Sequence, residues 1–396
     1  MNKYLFMLGQ SPDLAKEELK AVLSSKNDQI ELIGPDFVLA NTNKESKDLI
    51  NILGGTIKIA RYNQSLDKLS NLDVFLWYDI LEKNLKPDKK NNFGFSLYND
   101  SNDKSIQKIA FELKKLLKEN KYKSRLVTSQ DAILSSVVVS KNKLIGNELL
   151  IIKHENKYML ALTEAVQDFV RYGWRDMKRP HRDDKSGMLP PKVAQMMVNL
   201  AEGLDQSGEA GENKNKNLLD PFCGSGTVLQ EAILLGYQNI YGSDINPRSV
   251  TETTENLNWL LENFKAKANL KILESDIKNI DKKLDANSIN TIVTEPFMGD
   301  ARLIARLNKT SDINKIKDEL QILYTLAFEK FKKILSPKAM IVFVFPVFNI
   351  AGQDIYTLDK KIISQLGFEY KLDKDIIYNR PGQKVKRQIT VWQNKK

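Results

Sequence analysis

Residues 218–227 read "LLDPFCGSGT": an apolar run, an acid, and a turn with two glycines. Lacking a Cβ, Gly224 and Gly226 let backbone close on a ligand. A helix starting at Thr227 would add free N–H groups and a positive dipole end, which suit an anionic group. Asp244, in "GSDI", ends the next apolar run 18 residues after Gly226. An acid there suits the two hydroxyls of a ribose. Asp276, in "ESDI", ends the run after that and is placed to take the amine of an adenine ring. Each acid alone is more often an N-cap or a surface residue, and G-x-G alone reads equally as a tight strand-to-helix turn. Three acids at successive strand ends face one crevice of a doubly wound sheet. The set fits a nucleoside-bearing cofactor without a pyrophosphate clamp, because no Walker A lysine and no third fingerprint glycine are present.

A second stretch, "NTIVTEPFMGD" at 290–300, runs an apolar strand into Pro296 and Phe297. It resembles the strand end of enzymes that methylate the exocyclic amino group of a base. Those carry Asp or Asn, then Pro, Pro and an aromatic ring. Here the first two places hold Thr294 and Glu295. Methylating an aryl amine needs no strong base. Acceptors around the amino group can hold it and stabilise the charge that grows on nitrogen. Pro296 biases Glu295 toward an extended backbone, which presents its carbonyl. The Thr294 hydroxyl is a weaker acceptor than a carboxylate. The Glu295 carboxylate comes one position later, on the opposite face of an extended strand. Three readings stay open: an active variant with Thr294 or Glu295 as acceptor, a cofactor- and RNA-binding protein with little catalysis, or activity on another atom or base.

The elements that must position these residues begin at 217. "NLLDPFC", "NIYGSDI", "LKILESDI", "NTIVTEP" and "AMIVFVFP" read as strands, with helical stretches between. Such alternation predicts an α/β fold with a mainly parallel sheet. "FEYKLDKDIIYN" and "RQITVWQ" form a closing hairpin around "RPGQKVK". Residues 1–60 read as a small α+β unit: "KYLFMLG" a strand, "SPDLAKEELKAVLSS" a helix with Pro12 at its first place, "ELIGPDFVLANT" a hairpin. Residues 61–165 are similar in class. Ile106, Ile109, Ala110, Leu113, Leu116 and Leu117 make one helical stripe, and "AILSSVVVSK" and "NELLIIKHENKYMLALTE" have the β-branched character of strands. Residues 166–186 form a basic linker, with six basic residues from Arg171 to Lys185 against three aspartates. "GEAGENKNKN" (208–217) reads as a surface loop.

The 396 residues suffice for two or three domains, and 42% hydrophobic with 28% charged residues fits a globular protein. One cysteine, Cys223, excludes an intramolecular disulfide and a cysteine-rich zinc site, and two histidines leave no basis for a His-based metal centre. Cys223 reads as a small packed residue. We expect a reducing, cytoplasmic setting and no membrane span. A net charge of +10 favours a polyanionic partner, with nucleic acid first.

Together, "DPFCGSGT", "GSDI", "SDI" and "TEPF" resemble S-adenosylmethionine-dependent methyltransferases of the Rossmann-like class. Their order, cofactor motif before catalytic motif, is that of amino-group methyltransferases acting on RNA bases. Upstream, "LALTEAVQDFVRYGWRDMKRPHRDDKSGMLPPKVAQMMVNLA" resembles the junction of the tRNA guanosine-10 N2-methyltransferases of archaea and eukaryotes. The resemblance is strongest over about 125–300 and weakest over 1–60. It implies a class I methyltransferase domain at 187–396, with a seven-stranded sheet and an antiparallel C-terminal hairpin. A ferredoxin-like piece at 1–60 and a THUMP RNA-binding domain at 61–165 would precede it.

The resemblance also implies roles. The turn Asp220, Pro221, Phe222, Gly224, Gly226 and Thr227 would hold the methionine part of S-adenosylmethionine. Asp244, with Ile245 beside it, would hold the ribose, and Asp276 with Ile277 the adenine. Met188, Leu189 and Pro190 would lie close to the cofactor. Thr294, Glu295 and Pro296 would serve the amine, and Phe297 would stack on a flipped base. Apart from the resemblance, Arg171, Arg175, Lys178, Arg179, Arg182 and Lys185 read as phosphate contacts or as solvated charges. Their cluster between an RNA-binding module and a catalytic domain favours tRNA contact, and Arg380, Lys384, Lys386 and Arg387 around "RPG" read likewise. The expected activity is methyl transfer to the exocyclic amine of a guanosine in tRNA. The rivals are a DNA amino-methyltransferase, for which no target-recognition insertion is visible, and a catalytically weak binding protein. A small activator subunit and the oligomeric state are left open.

Overall fold

The computed structural model describes residues 1–101, 103–182, 188–203, 215–300, 303–304, 310–380 and 382–396. The chain splits into two compact units: Met1–Pro12 with Lys26–Phe169, and Asp13–Ser25 with Val170–Lys396.

The first unit holds β1 (Asn2–Leu8), β2 (Gln29–Ile33), β3 (Phe37–Thr42), β4 (Thr56–Leu66), β5 (Asn91–Tyr98), β6 (Ser124–Leu126), β7 (Glu148–His154) and β8 (Lys157–Val166). They make one eight-stranded sheet in the order β2-β3-β1-β4-β8-β7-β5-β6. β4 runs through residue 60, so the stretches 1–60 and 61–165 share this sheet. Helix α1 (Pro12–Val22) groups from Asp13 onward with the second unit, while α2 (Ser46–Ile52), α3 (Val74–Glu82), α4 (Asp103–Glu119) and α5 (Ser136–Lys141) belong to the first. The α4 stripe buries Ile106, Ala110, Leu113 and Leu117 against Trp77, Phe93 and Leu149. One expectation fails here: "AILSSVVVSK" is not a strand but carries α5. Ser135 caps it by accepting from the Val138 N–H at 3.3 Å, and Val139 is buried. The local cap and that packing override a β-branched preference worth only ~1 kcal/mol.

The second unit carries β9 (Asn217–Asp220), β10 (Asn239–Asp244), β11 (Asn269–Glu274), β12 (Ile289–Thr294), β13 (Leu335–Ile350), β14 (Gln353–Tyr356), β15 (Phe368–Tyr370), β16 (Ile376–Tyr378) and β17 (Val385–Asn394). The main path is β11-β10-β9-β12-β13-β17-β15, with β14 paired to β13 and β16 to β17. The first five of these strands are parallel neighbours, and β17 runs antiparallel to β13. This is the expected seven-strand path with its closing hairpin. The helices are α6 (Phe169–Gly173), a π turn at Trp174–Lys178, then α7 (Pro191–Gly203), α8 (Thr227–Leu234), α9 (Pro247–Phe264), α10 (Thr310–Ile334) and α11 (Lys360–Gln365). Tyr324, Phe328 and Phe331 of α10 bury an aromatic cluster with Phe343, Phe345 and Trp392. Edge-to-face pairs of this kind add ~0.5–1.5 kcal/mol each beyond their area. Because β9 to β12 are parallel, Asp220, Asp244, Glu274 and Thr294 all end at one edge. Among the described residues, no helix is long and apolar enough to cross a membrane.

Candidate active site

The turn after β9 takes left-handed backbone at Gly224 (φ +52°) and Gly226 (φ +83°). The two glycines serve different ends. A Cβ at Gly226 would lie 3.0 Å from Thr253 Cγ2, so packing crowds that side, and the positive φ also disfavours a side chain. A Cβ at Gly224 would meet no atom within 4 Å, so that backbone faces open space. Thr253 Oγ1 donates to the Gly224 carbonyl at 2.8 Å, and the Cys223 N–H donates to the Ser243 carbonyl at 3.0 Å. Cys223 is buried, and burial pushes its thiol up. No side chain caps α8 at Gly226, which leaves its first N–H groups for a ligand.

The next two acids are held by backbone. Asp244 accepts from the Gly224 N–H at 3.0 Å and the Asn246 N–H at 2.9 Å. Beside it, Ile245 is 67% exposed. Asp276 caps a 3-10 turn at Ile277–Lys282, accepting from the Lys278 N–H at 3.0 Å, and pairs with Lys278 Nζ at 3.3 Å. Ile277 is buried. An open glycine backbone, an uncapped helix start, a half-buried acid at the following strand end and an exposed aliphatic beside it fit a nucleoside-bearing amino acid such as S-adenosylmethionine.

At the end of β12, Thr294 is fully buried. Its hydroxyl donates to Asp220 Oδ1 at 2.6 Å, and the Phe222 N–H reaches the same oxygen at 3.2 Å. Burial pushes the Asp220 carboxyl up to about 7. The two hydrogen bonds pull it back, and the charges of Asp244 and Glu295 push it further. Glu295 forms an ion pair with buried Arg387 of β17: Nε donates to Oε1, and Nη2 lies 3.4 Å from Oε2. Burial raises the Glu295 carboxyl, against the pull of Arg387 and Arg380. The two neighbouring side chains take different partners, Thr294 on β9 and Glu295 on β17. Pro296 is buried, whereas Phe297 is 57% exposed. Tyr324 Oη donates to the Phe297 carbonyl at 2.7 Å.

The junction corrects part of the expected RNA surface. Arg175 and Arg179 are only 5% and 3% exposed. Arg175 Nε lies 3.2 Å from Glu231 Oε1 on α8, and its guanidinium stands 4.0 Å over the Tyr172 ring. Arg179 donates to Thr227 Oγ1 at 2.8 Å and contacts the Met188 sulfur. Both guanidinia offset the burial of Glu231, whose carboxyl is nonetheless pushed up to about 7 by desolvation. Arg387 is likewise buried, and Lys386 pairs with Asp354 at 2.6 Å. Arg171, Lys178 and Arg380 are exposed, and Arg182 is half-buried. Lys185 lies outside the described residues. Met188 also takes a 3.6 Å contact from Ser225 Oγ; Leu189 is buried, and Pro190 starts the turn into α7.

Three residues that sequence reasoning passed over help to build the site: Glu231, Thr253 and Asn256. Asn256 donates to the carbonyls of Ser225 (2.9 Å) and His181 (3.0 Å) and accepts from the His181 N–H at 2.9 Å. It thereby ties His181 to the glycine turn after β9. The available signal was a polar residue inside the buried stripe Thr253, Asn256, Leu257 and Leu260 of α9.

In the first unit, Lys90, Lys114, Lys115, Lys118, Lys121 and Lys123 line a cleft of about 590 Å³ beside Tyr122.

Residues 179–349 match the family described as RMKL-like, methyltransferase domain. A tRNA (guanine(10)-N2)-dimethyltransferase of Methanothermobacter thermautotrophicus is 36% identical over 126 residues, which cover 31% of this chain and 31% of that protein. The match thus spans about a third of that relative. A probable tRNA (guanine(10)-N2)-dimethyltransferase of Methanothermococcus thermolithotrophicus is 32% identical over 143 residues, covering 36% of this chain and 82% of the relative. The crystal structure of TrmN from Thermus thermophilus superposes with a TM-score of 0.58 at 14% identity, over the full length of both chains. That likeness shows the Rossmann-like methyltransferase fold.

Proposed function

Because the chain belongs to the tRNA (guanine(10)-N2)-dimethyltransferase family, which is S-adenosylmethionine-dependent, we propose that it methylates the exocyclic amine of a guanosine in tRNA. The observation that carries this reading is the shared edge of β9, β10 and β12. There the open Gly224 backbone and Asp244 stand with an exposed aromatic on a buried proline. When bound, S-adenosylmethionine supplies an electrophilic methyl group on a sulfonium. Gly224 and the start of α8 would hold its methionine part, Asp244 its ribose, and Asp276 with Ile277 its adenine. Met188–Pro190 would flank it.

Phe297 would stack on the extruded base, which must leave its helix to reach a buried donor. The Thr294 hydroxyl is bonded to Asp220 and the Glu295 carboxylate to Arg387. The Glu295 backbone carbonyl therefore takes the role of amine acceptor, with Pro296 holding that residue extended. An acceptor aimed at the nitrogen stabilises the charge that develops there. In the first unit, which we read as carrying the THUMP domain, the lysine cleft would hold tRNA phosphates. Exposed Arg171 and Lys178 would contribute further contacts.

The test is methyl transfer from labelled S-adenosylmethionine to unmodified tRNA, with nucleoside analysis at several salt concentrations. N2-methylguanosine, formed with a KM that rises steeply with salt, is the expected result. Methylation of duplex DNA in preference to tRNA would favour the DNA enzyme. Binding of both ligands without product would favour a protein that has lost catalysis.

A further inference from the structure

We propose that Arg387, in the C-terminal hairpin, is a positioning residue for the catalytic loop, acting through a bidentate ion pair with Glu295. The inference rests on the methyl-transfer reading above and explains the substituted motif. Thr294, Glu295 and Phe297 are each anchored to a different element. Thr294 is tied to Asp220 on β9, Glu295 to Arg387 on β17, and the Phe297 carbonyl to Tyr324 on α10. Only the Phe297 side chain is left largely exposed. Where related strand ends carry a stiff proline, this chain carries Glu295, a residue whose φ no ring fixes and which only the following Pro296 restrains. A planar guanidinium gripping both carboxylate oxygens can restore the lost rigidity, because the fork fixes orientation as well as distance. The side chains of Arg387 and Glu295 are 4% and 15% exposed, so solvent screens the pair little. Breaking it would leave a charge stranded beside the loop. The groups so held are the Glu295 carbonyl and the Phe297 ring, and a shift of ~1 Å in such groups can lower a rate ~100-fold.

The experiment compares wild type with Arg387→Lys, Arg387→Gln, Glu295→Gln, Arg387→Gln/Glu295→Gln and Tyr324→Phe. It measures kcat and KM for tRNA, S-adenosylmethionine affinity, and the thermal midpoint of each protein. Lysine keeps the charge but not the fork, and the phenylalanine removes one hydroxyl alone. We expect kcat to fall about 10- to 100-fold in Arg387→Lys, with cofactor affinity and KM within about twofold. The double variant should lose no more than the worse single one, since both act through one contact. Tyr324→Phe should lower kcat by a smaller factor in the same manner. The proposal is overturned if Arg387→Lys and Tyr324→Phe both keep wild-type kcat, or if every loss follows reduced cofactor affinity or a lowered midpoint. A wild-type protein that binds both ligands but makes no methylguanosine overturns instead the reading on which the clamp rests.

Discussion

Each unit buries a carboxylate against a buried cation, and the two pairs are built differently. Glu148 of β7 accepts from Lys58 Nζ (2.5 Å), Ser96 Oγ (2.6 Å) and Thr163 Oγ1 (2.6 Å). Those donors lie on β4, β5 and β8, so one acid ties four strands of the sheet. Both oxygens are occupied. Glu295 lies just past the end of β12, is paired with Arg387, and adjoins the exposed Phe297. A buried charge saturated from several strands fixes register, whereas a buried charge at a strand end, held by one fork, fixes a loop. Damage to the first should appear as lost stability, and damage to the second as lost turnover.

The largest effect is expected from Lys58→Met. It leaves Glu148 buried without its cation, a type of change that destabilises by about 3–5 kcal/mol. Urea unfolding should show that loss, with specific activity per folded molecule unchanged; lowered activity in the folded fraction would break the contrast between the pairs. Phe297→Ala should come next. Base–aromatic stacking is worth ~1–3 kcal/mol, so kcat/KM for tRNA should fall by roughly 5- to 150-fold. The unfolding midpoint should stay unchanged, because the ring is largely exposed.

A further expected outcome concerns pH. Asp220 and Glu231 are both raised to about 7 by burial. Between pH 4 and 7 the folded protein therefore holds protons that the unfolded chain has released. Stability from these groups is full below the unfolded carboxylate range and declines as pH rises toward 7. Unfolding of the free protein across that window should show this decline, and Glu231→Gln should flatten part of it. A stability that climbs from pH 5 to 7 in both proteins would contradict the burial of these acids as charged-form penalties.

The second unit was legible because its buried parallel strands are near-continuous apolar runs ending in acids. Asp220 and Asp244 end β9 and β10 as their spacing predicts, whereas β11 stops at Glu274 and Asp276 caps the 3-10 turn that follows. The partners were not legible. A count of basic residues cannot tell an arginine facing solvent from one facing a carboxylate on another helix, and Arg175 and Arg179 were misplaced on that account. Glu295 and Arg387 are far apart in the chain, and only the pairing of β13 with β17 brings the hairpin to the loop. Residues 135–141 failed for a local reason, since a single serine cap outweighed a run of valines.

Methyl transfer to a guanosine of tRNA is checked by incubating the wild-type protein with labelled S-adenosylmethionine and unmodified tRNA and identifying the labelled nucleoside. N2-methylguanosine is the result predicted. Label on a different base, or none in tRNA although both ligands bind, would contradict it.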